Sequence, residues 1–296
     1  IGWQEMAKVI TGGGSETNRT IVLELRLPRA LSAFAVGGLL ALAGTLMQVL
    51  LRNPLADPYV LGVSGGAAAG TLLAMLSGVG LFGMGIGGLT GAFFSILLVF
   101  GLAHGRGAWT PTRLLLTGVV VASGWGALIS LLLATSPERN LRGMLFWLMG
   151  DLAWADNPWP ALVVLVMALA ATLALARSLN ILSRGALQAQ ALGEDTFRLR
   201  LSIYGISSVT TAAAVWVAGA VGFVGLVVPH LFRLIAGSDH RLLLPGAVLL
   251  GGSLLTVADT LARTVLAPRQ LPVGVITALI GVPVFLVLLN RSRYRA

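Results

Sequence analysis

The chain contains no cysteine at all. Disulfides, thiol nucleophiles and thiolate metal sites are therefore excluded, although the zero says nothing of compartment. Charge is scarce too: Asp and Glu together number 11, and charged residues are 10% of the 296, far below the share in a soluble domain. Few of those acids approach the interior of an apolar run, which disfavours a carboxylate proton relay across a membrane. His104, His230 and His240 are scattered without metal-ligand spacing and read as turn or packing residues. No G-x-x-x-x-G-K-S/T occurs, and TGGGSETN (11–18) lacks the lysine and the strand-to-helix context of a phosphate-binding loop. The chain is thus expected not to hydrolyse ATP itself. No nucleophile–base pair or paired-acid spacing marks it as an intramembrane enzyme, and no basic stripe with interleaved aromatics marks it for nucleic acid.

What the sequence has in abundance is apolar length. Hydrophobic residues make up 56% and the mean hydropathy is +0.90, the composition of a polytopic membrane protein. Runs near the ~20 residues that cross a hydrocarbon core of about 30 Å recur at 27–51, 60–78, 83–103, 113–134, 159–177, 201–219, 222–236, 242–266 and 272–290. They predict an all-α bundle of nine spans. The 38 glycines are spread through them, where small residues let helix backbones approach and pack. We read residues 1–296 as a single transmembrane domain in contact with membrane lipid.

The net charge of +9 comes almost wholly from arginine and sets an orientation. Arg291, Arg293 and Arg295 directly follow an apolar run, which places the tail inside. Counting back puts Arg52, the HGRGAWTPTR loop (104–113), the 178–200 loop and GSDHR inside, and 136–157 and 263–271 outside. Nine spans leave Ile1 outside. With no initiating Met and no signal-peptide pattern, a further helix is expected before residue 1, giving ten spans with both ends inside.

Several stretches carry more than packing. In RNPLADPYVLGVSGGAAAG (52–70), Pro54 and Pro58 cannot continue a helix and push the residues before them toward extended geometry. The stretch is either an ordinary loop ahead of a packing helix or a gate beside a pathway, since irregular backbone at membrane depth needs protein or water around it. GAVGFVGLVVPHLFRLIAGSDHRLLLPGAVLLGG (219–252) repeats the grammar of proline, charged turn and small-residue run with the opposite span direction, as in an inverted repeat. The inner loop 178–200 favours short helices broken at Gly193; it is either a solvated connector or a docking surface for a cytosolic partner. Outside, Arg26, Arg29 and Arg263 stand at span ends, either snorkelling to headgroups or forming a basic rim for an acidic partner. Asp259 and Arg263 are four apart on one helix face and can pair.

Taken together, ELRLPRAL, RNPLADPYVLGVSGGAAAG, QALGED, GFVGLVVPHLFRL, SDHRLLLPGAVLLGG, ADTLAR and LPVGVITALIGVPVF, in this order along the chain, resemble the FecCD-type, BtuC-like permeases of bacterial ABC importers for haem, ferric siderophores and cobalamin. The resemblance implies ten helices per subunit and a homodimer with the path between subunits. It also implies two cytosolic ATPase subunits below, a periplasmic binding protein above, and an address in the bacterial inner membrane. It implies no cofactor in this chain, with ATP and Mg belonging to the partner ATPase. By residue, it assigns Asn53, Leu55, Thr110 and Thr112 to the cytoplasmic gate, Ala191, Leu192 and Gly193 to coupling with the ATPase, and Arg26, Arg29 and Arg263 to docking of the binding protein. Haem or a ferric siderophore is the first expectation for cargo, with cobalamin behind. One departure is Gln270 in APRQLPVG, where the family usually has Glu. The rival from another class is an ion-coupled secondary transporter or channel, which needs mid-membrane acids.

Overall fold

In the computed structural model, residues 2–104 and 111–293 are described, and among them regular structure is entirely helical. After the short outer helices α1 (Trp3–Ile10) and α2 (Glu16–Arg19) and a π-helical stretch (Thr20–Arg26), α3 (Leu27–Leu50) runs for 24 residues. At ~1.5 Å per residue that is about 36 Å, enough to cross a bilayer. It is the central pillar. Within the span that contains it, 83% of the most apolar window is buried, against α8 (Trp159–Ala174), α11 (Thr196–Ala218), α12 (Val224–Ala236) and α13 (His240–Thr264).

The remaining elements are α4 (Val63–Leu76), α5 (Leu81–His104), α6 (Pro111–Thr135), α7 (Glu138–Leu148), α9 (Ala176–Arg184), α10 (Ala186–Ala191) and α14 (Val273–Arg293). Among the described residues, five helices are long and apolar enough to cross a membrane, and α8 with α9, bent by 60°, passes as a sixth. Three shorter apolar helices, α4, α12 and the apolar part of α14, account for the other expected runs. Each of the nine runs thus carries a helix, yet two begin late. The run from 60 is helical in the α sense only from Val63, and that from 222 only from Val224. At ~1.5 Å per residue α4 and α12 span only about 20 Å. Their missing length is the unwound chain before them.

Boundaries elsewhere move for local reasons. The run 159–177 ends at Ala174, where the chain bends into α9. α11 starts at Thr196, inside the expected 178–200 loop, because the Asp195 carboxylate caps it by accepting from the N–H groups of Phe197 and Arg198.

Glycine decides how α4 and α5 meet. A Cβ on Gly70 would lie 2.0 Å from the Gly87 carbonyl oxygen, and one on Gly91 would lie 2.1 Å from that of Gly66. The two G-x-x-x-G pairs therefore bring backbone against backbone, which is how helices gain contact where lipid removes the hydrophobic drive. Gly70→Val is expected to force the pair apart at a cost of about 1–3 kcal/mol, whereas Gly101→Ala, on open space in α5, leaves stability unchanged. Thermal unfolding in detergent distinguishes the two.

Candidate functional site

The site is built from two unwound segments. In the first, the chain leaves α3 through Arg52, at a left-handed φ of 50°. Asn53 then turns it: its side-chain oxygen accepts from the Leu55 N–H at 2.9 Å and its carbonyl from the Ala56 N–H at 3.0 Å. Asp57 caps the short 3-10 turn Pro58–Leu61 by accepting from the Tyr59 N–H at 2.8 Å. Gly62, at φ 73°, hands the chain to α4, and its carbonyl accepts from the Ser95 hydroxyl at 2.8 Å. Pro54 and Pro58 thus shape a bend, as their spacing predicts.

The second unwound segment, 219–223, lies between α11 and α12, and the two meet. The Tyr59 hydroxyl donates to the Val221 carbonyl and accepts from the Val221 N–H, each at 3.0 Å. A Cβ on Gly225 would lie 2.8 Å from Pro58 Cδ, and one on Gly44 would lie 1.8 Å from the Gly225 carbonyl oxygen. Both interruptions are therefore wedged against α3 and satisfied by protein. The inverted grammar seen in the sequence corresponds to two helices that each start late.

Of the residues expected at a gate, Asn53 and Leu55 share one exposed turn. Thr112 stands exposed at the first turn of α6, and Thr110 lies outside the described residues. The residues expected to couple to an ATPase end α10: Ala191 closes it, Leu192 is 70% exposed, and Gly193 takes φ 84° while its N–H donates to the Gln190 carbonyl. The two sites occupy one end of the bundle, with Arg52 Nη2 3.7 Å from where a Cβ on Gly185 would be. Sequence reasoning missed what stiffens this end. Asn180 accepts from the His240 N–H at 2.9 Å and donates to Asp239 at 2.7 Å, and Arg233 donates to Gln48. The Arg241 backbone N–H, followed by Asn180, holds the Asp239 carboxyl below its ordinary range. Only a fold could bring these partners together.

At the other end, the three arginines divide. Arg29 holds the buried Asp259 in a fork, with Nη2 at 2.8 Å and Nε at 3.1 Å, and its Nη1 donates to Gln270 at 3.3 Å. Arg263 Nε pairs with the same carboxylate at 3.1 Å, as the four-residue spacing allows. Arg26 is exposed. Gln270 therefore supplies an acceptor without supplying charge, and two guanidinium groups share one carboxylate. Nearby in the outer loop, burial raises the carboxyl of Asp151 above its usual value.

Alternating apolar helices, two of them interrupted beside a central pillar, with an exposed short helix at one end, define a multi-pass membrane permease. A family model described as the FecCD transport family matches residues 1–291, and the chain belongs to that family. It is 44% identical to the cobalamin import system permease protein BtuC of Halobacterium salinarum over 288 residues, 96% of this chain and 77% of the relative. It is 42% identical to the hemin transport system permease protein HmuU of Yersinia pestis, over 92% of this chain and 84% of that one. A solved structure of a metal-chelate type ABC transporter in an inward-facing conformation superposes with a TM-score of 0.87 at 34% identity, covering 94% of this chain and 89% of that one. The protein is a multi-pass protein of the inner membrane, and the relatives are permease subunits.

Two variants test the geometry. Asp259→Asn leaves the half-buried Arg29 without a carboxylate and is expected to cost about 3–5 kcal/mol, while Arg26→Gln stays within about 0.5 kcal/mol of the parent; equal thermal shifts would contradict the division. Tyr59→Phe orphans both backbone groups of Val221 and is expected to cost about 1–3 kcal/mol, read in the same assay.

Proposed function

We propose that the chain is the permease subunit of an ATP-driven ABC importer. It works as a homodimer with two cytosolic ATPase subunits and a periplasmic binding protein, and moves a bulky metal chelate inward by alternating access. The observation that carries this reading is the shared end of the bundle. The exposed Ala191–Gly193 turn, suited to a groove on an ATPase, ends α10, and the start of that helix at Gly185 lies next to Arg52, which opens the turn of Asn53 and Leu55, suited to narrow a path. Closure of an ATPase pair that grips α10 would bias the bundle between inward-open and outward-open states.

The homodimer is supported by α6, of whose most apolar window only 11% is buried. Ser123 and Ser130 lie exposed along it, each hydroxyl bonded back to its own helix. With Gly126 they form a small-residue stripe at helical spacing, the kind of surface through which membrane helices associate. Arg26 and the exposed part of Arg263 supply the rim for an acidic binding protein; Arg29 supports that rim by fixing its base. Haem, a ferric siderophore and cobalamin are the cargo candidates, and relatives named for cobalamin and for hemin stand at almost equal identity.

Reconstitution with the cognate ATPase in liposomes tests the reading. We expect uptake of one of the three chelates that requires both ATP and the binding protein. Leu192→Glu, which puts a charge into the coupling contact, is expected to lower uptake at least tenfold without unfolding the permease. Uptake driven by an ion gradient without the ATPase would overturn it.

A further inference from the structure

The 60° bend at Leu175 turns α9 across the bundle rather than along it. One face, Ala176, Leu179 and Leu182, is buried. Arg177 and Arg184, seven residues apart and so two turns along one side, line a cavity of about 240 Å³ with Arg241 from the first turn of α13. Three like charges around one cavity repel unless an anion joins them. Among the described residues none of the three guanidinium groups has a hydrogen bond or ion pair. Asp239 offsets the charge of Arg241 at a distance without pairing with its guanidinium. Glu194 accepts from the Ser178 hydroxyl at 2.9 Å, and Asp239 accepts from Asn180 at 2.7 Å and from the Arg241 N–H at 3.0 Å.

Depth selects the anion. Arg177 lies three residues past the end of apolar α8, and Arg241 immediately precedes Leu242, which is 60% exposed and opens the apolar run of α13. Seven residues of helix inclined at 60° descend only about 5 Å along the α8 direction, so Arg184 stays close to the level of Arg177. The headgroup layer on each side of a bilayer is about 5–7 Å thick, which accommodates all three. A site for an ATPase side chain alone would need no such confinement to the membrane boundary.

We propose that this cavity binds the phosphodiester headgroup of an anionic membrane lipid of the inner leaflet. The three arginines surround the phosphate, and exposed Leu242 meets an acyl chain. Because exposed Leu192 also lines the cavity, the bound lipid lies against the coupling turn. This last point rests on the permease reading, whereas the site itself rests only on the membrane embedding.

The test uses the purified permease without ATPase, titrated with phosphatidylglycerol or phosphatidylcholine and followed by native mass spectrometry. We expect phosphatidylglycerol to be retained selectively. At about 1 kcal/mol, or about fivefold, per arginine near an anionic headgroup, Arg177→Gln alone weakens retention about fivefold and the triple glutamine variant about a hundredfold. The triple lysine variant retains most of it, and Arg269→Gln at the outer end changes nothing. Unchanged retention in Arg177→Gln, or displacement of the lipid by millimolar inorganic phosphate, would overturn the proposal. So would a triple glutamine variant that keeps the lipid, since the three arginines would then not be what holds it. If the triple variant does not fold, the single variants and the lysine rescue decide. Transport is not part of the readout, so failure here leaves the importer reading intact.

Discussion

Backbone that leaves the helix inside a membrane must find its hydrogen bonds within the protein, and the rest of this structure follows from how that demand is met. Two segments unwind, and each supplies what the other lacks. Tyr59 from the first satisfies both backbone groups of Val221 in the second. Asp57 and Asn53 satisfy the first segment locally, and Ser95 of α5 donates to its last carbonyl, that of Gly62. The meeting point is possible only because α3 carries Gly44 where the start of α12 presses against it. The unwound length also shortens α4 and α12, and α4 then makes up its contact area through backbone-to-backbone packing on α5.

Much of this could be read before the fold was known. The nine apolar runs, the bend at Pro54 and Pro58 and the break at Gly193 all follow from local chemistry, and each has its counterpart. The Asp259–Arg263 pair was legible for the same reason, being one helical turn apart. What could not be read is long-range. Tyr59 and Val221 are 162 residues apart, and Arg29 and Asp259 are 230 apart. No residue type at any of these positions announces its partner. Arg29, which the pattern groups with Arg26 and Arg263, is committed inward for that reason. The bend at Leu175 is invisible in Ala-Leu-Ala, which holds neither proline nor glycine; packing of the buried face of α9 determines it.

The departure at Gln270 has a physical consequence at the outer end. A carboxylate there would balance the two guanidinium groups that share Asp259. The amide accepts a hydrogen bond from Arg29 in the same place but brings no negative charge to the cluster. The outer rim is thus more basic by one unit than the family pattern implies, and electrostatic attraction to an acidic partner acts chiefly on association rate and on salt dependence.

The two ends of the bundle are fastened with different strength. At the outer end, parting α3 from α13 would strip a buried carboxylate of Arg29 and leave it only Arg263 of its own helix, at several kcal/mol. At the inner end, Gln48 to Arg233 joins α3 to α12, and Asn180 to His240 joins α9 to α13. These links hold no pair of opposite charges: two hydrogen bonds join α3 to α12 and three join α9 to the start of α13, each worth about 0.5–3 kcal/mol net, around a turn that water already reaches at Asn53 and Leu55. On the proposed importer reading, a force delivered through α10 enters at the end that lacks a buried ion pair, while Arg29 and Asp259 tie α3 to α13 at the other, so a displacement of the inner ends would become a tilt about the outer ends rather than a translation of the whole bundle.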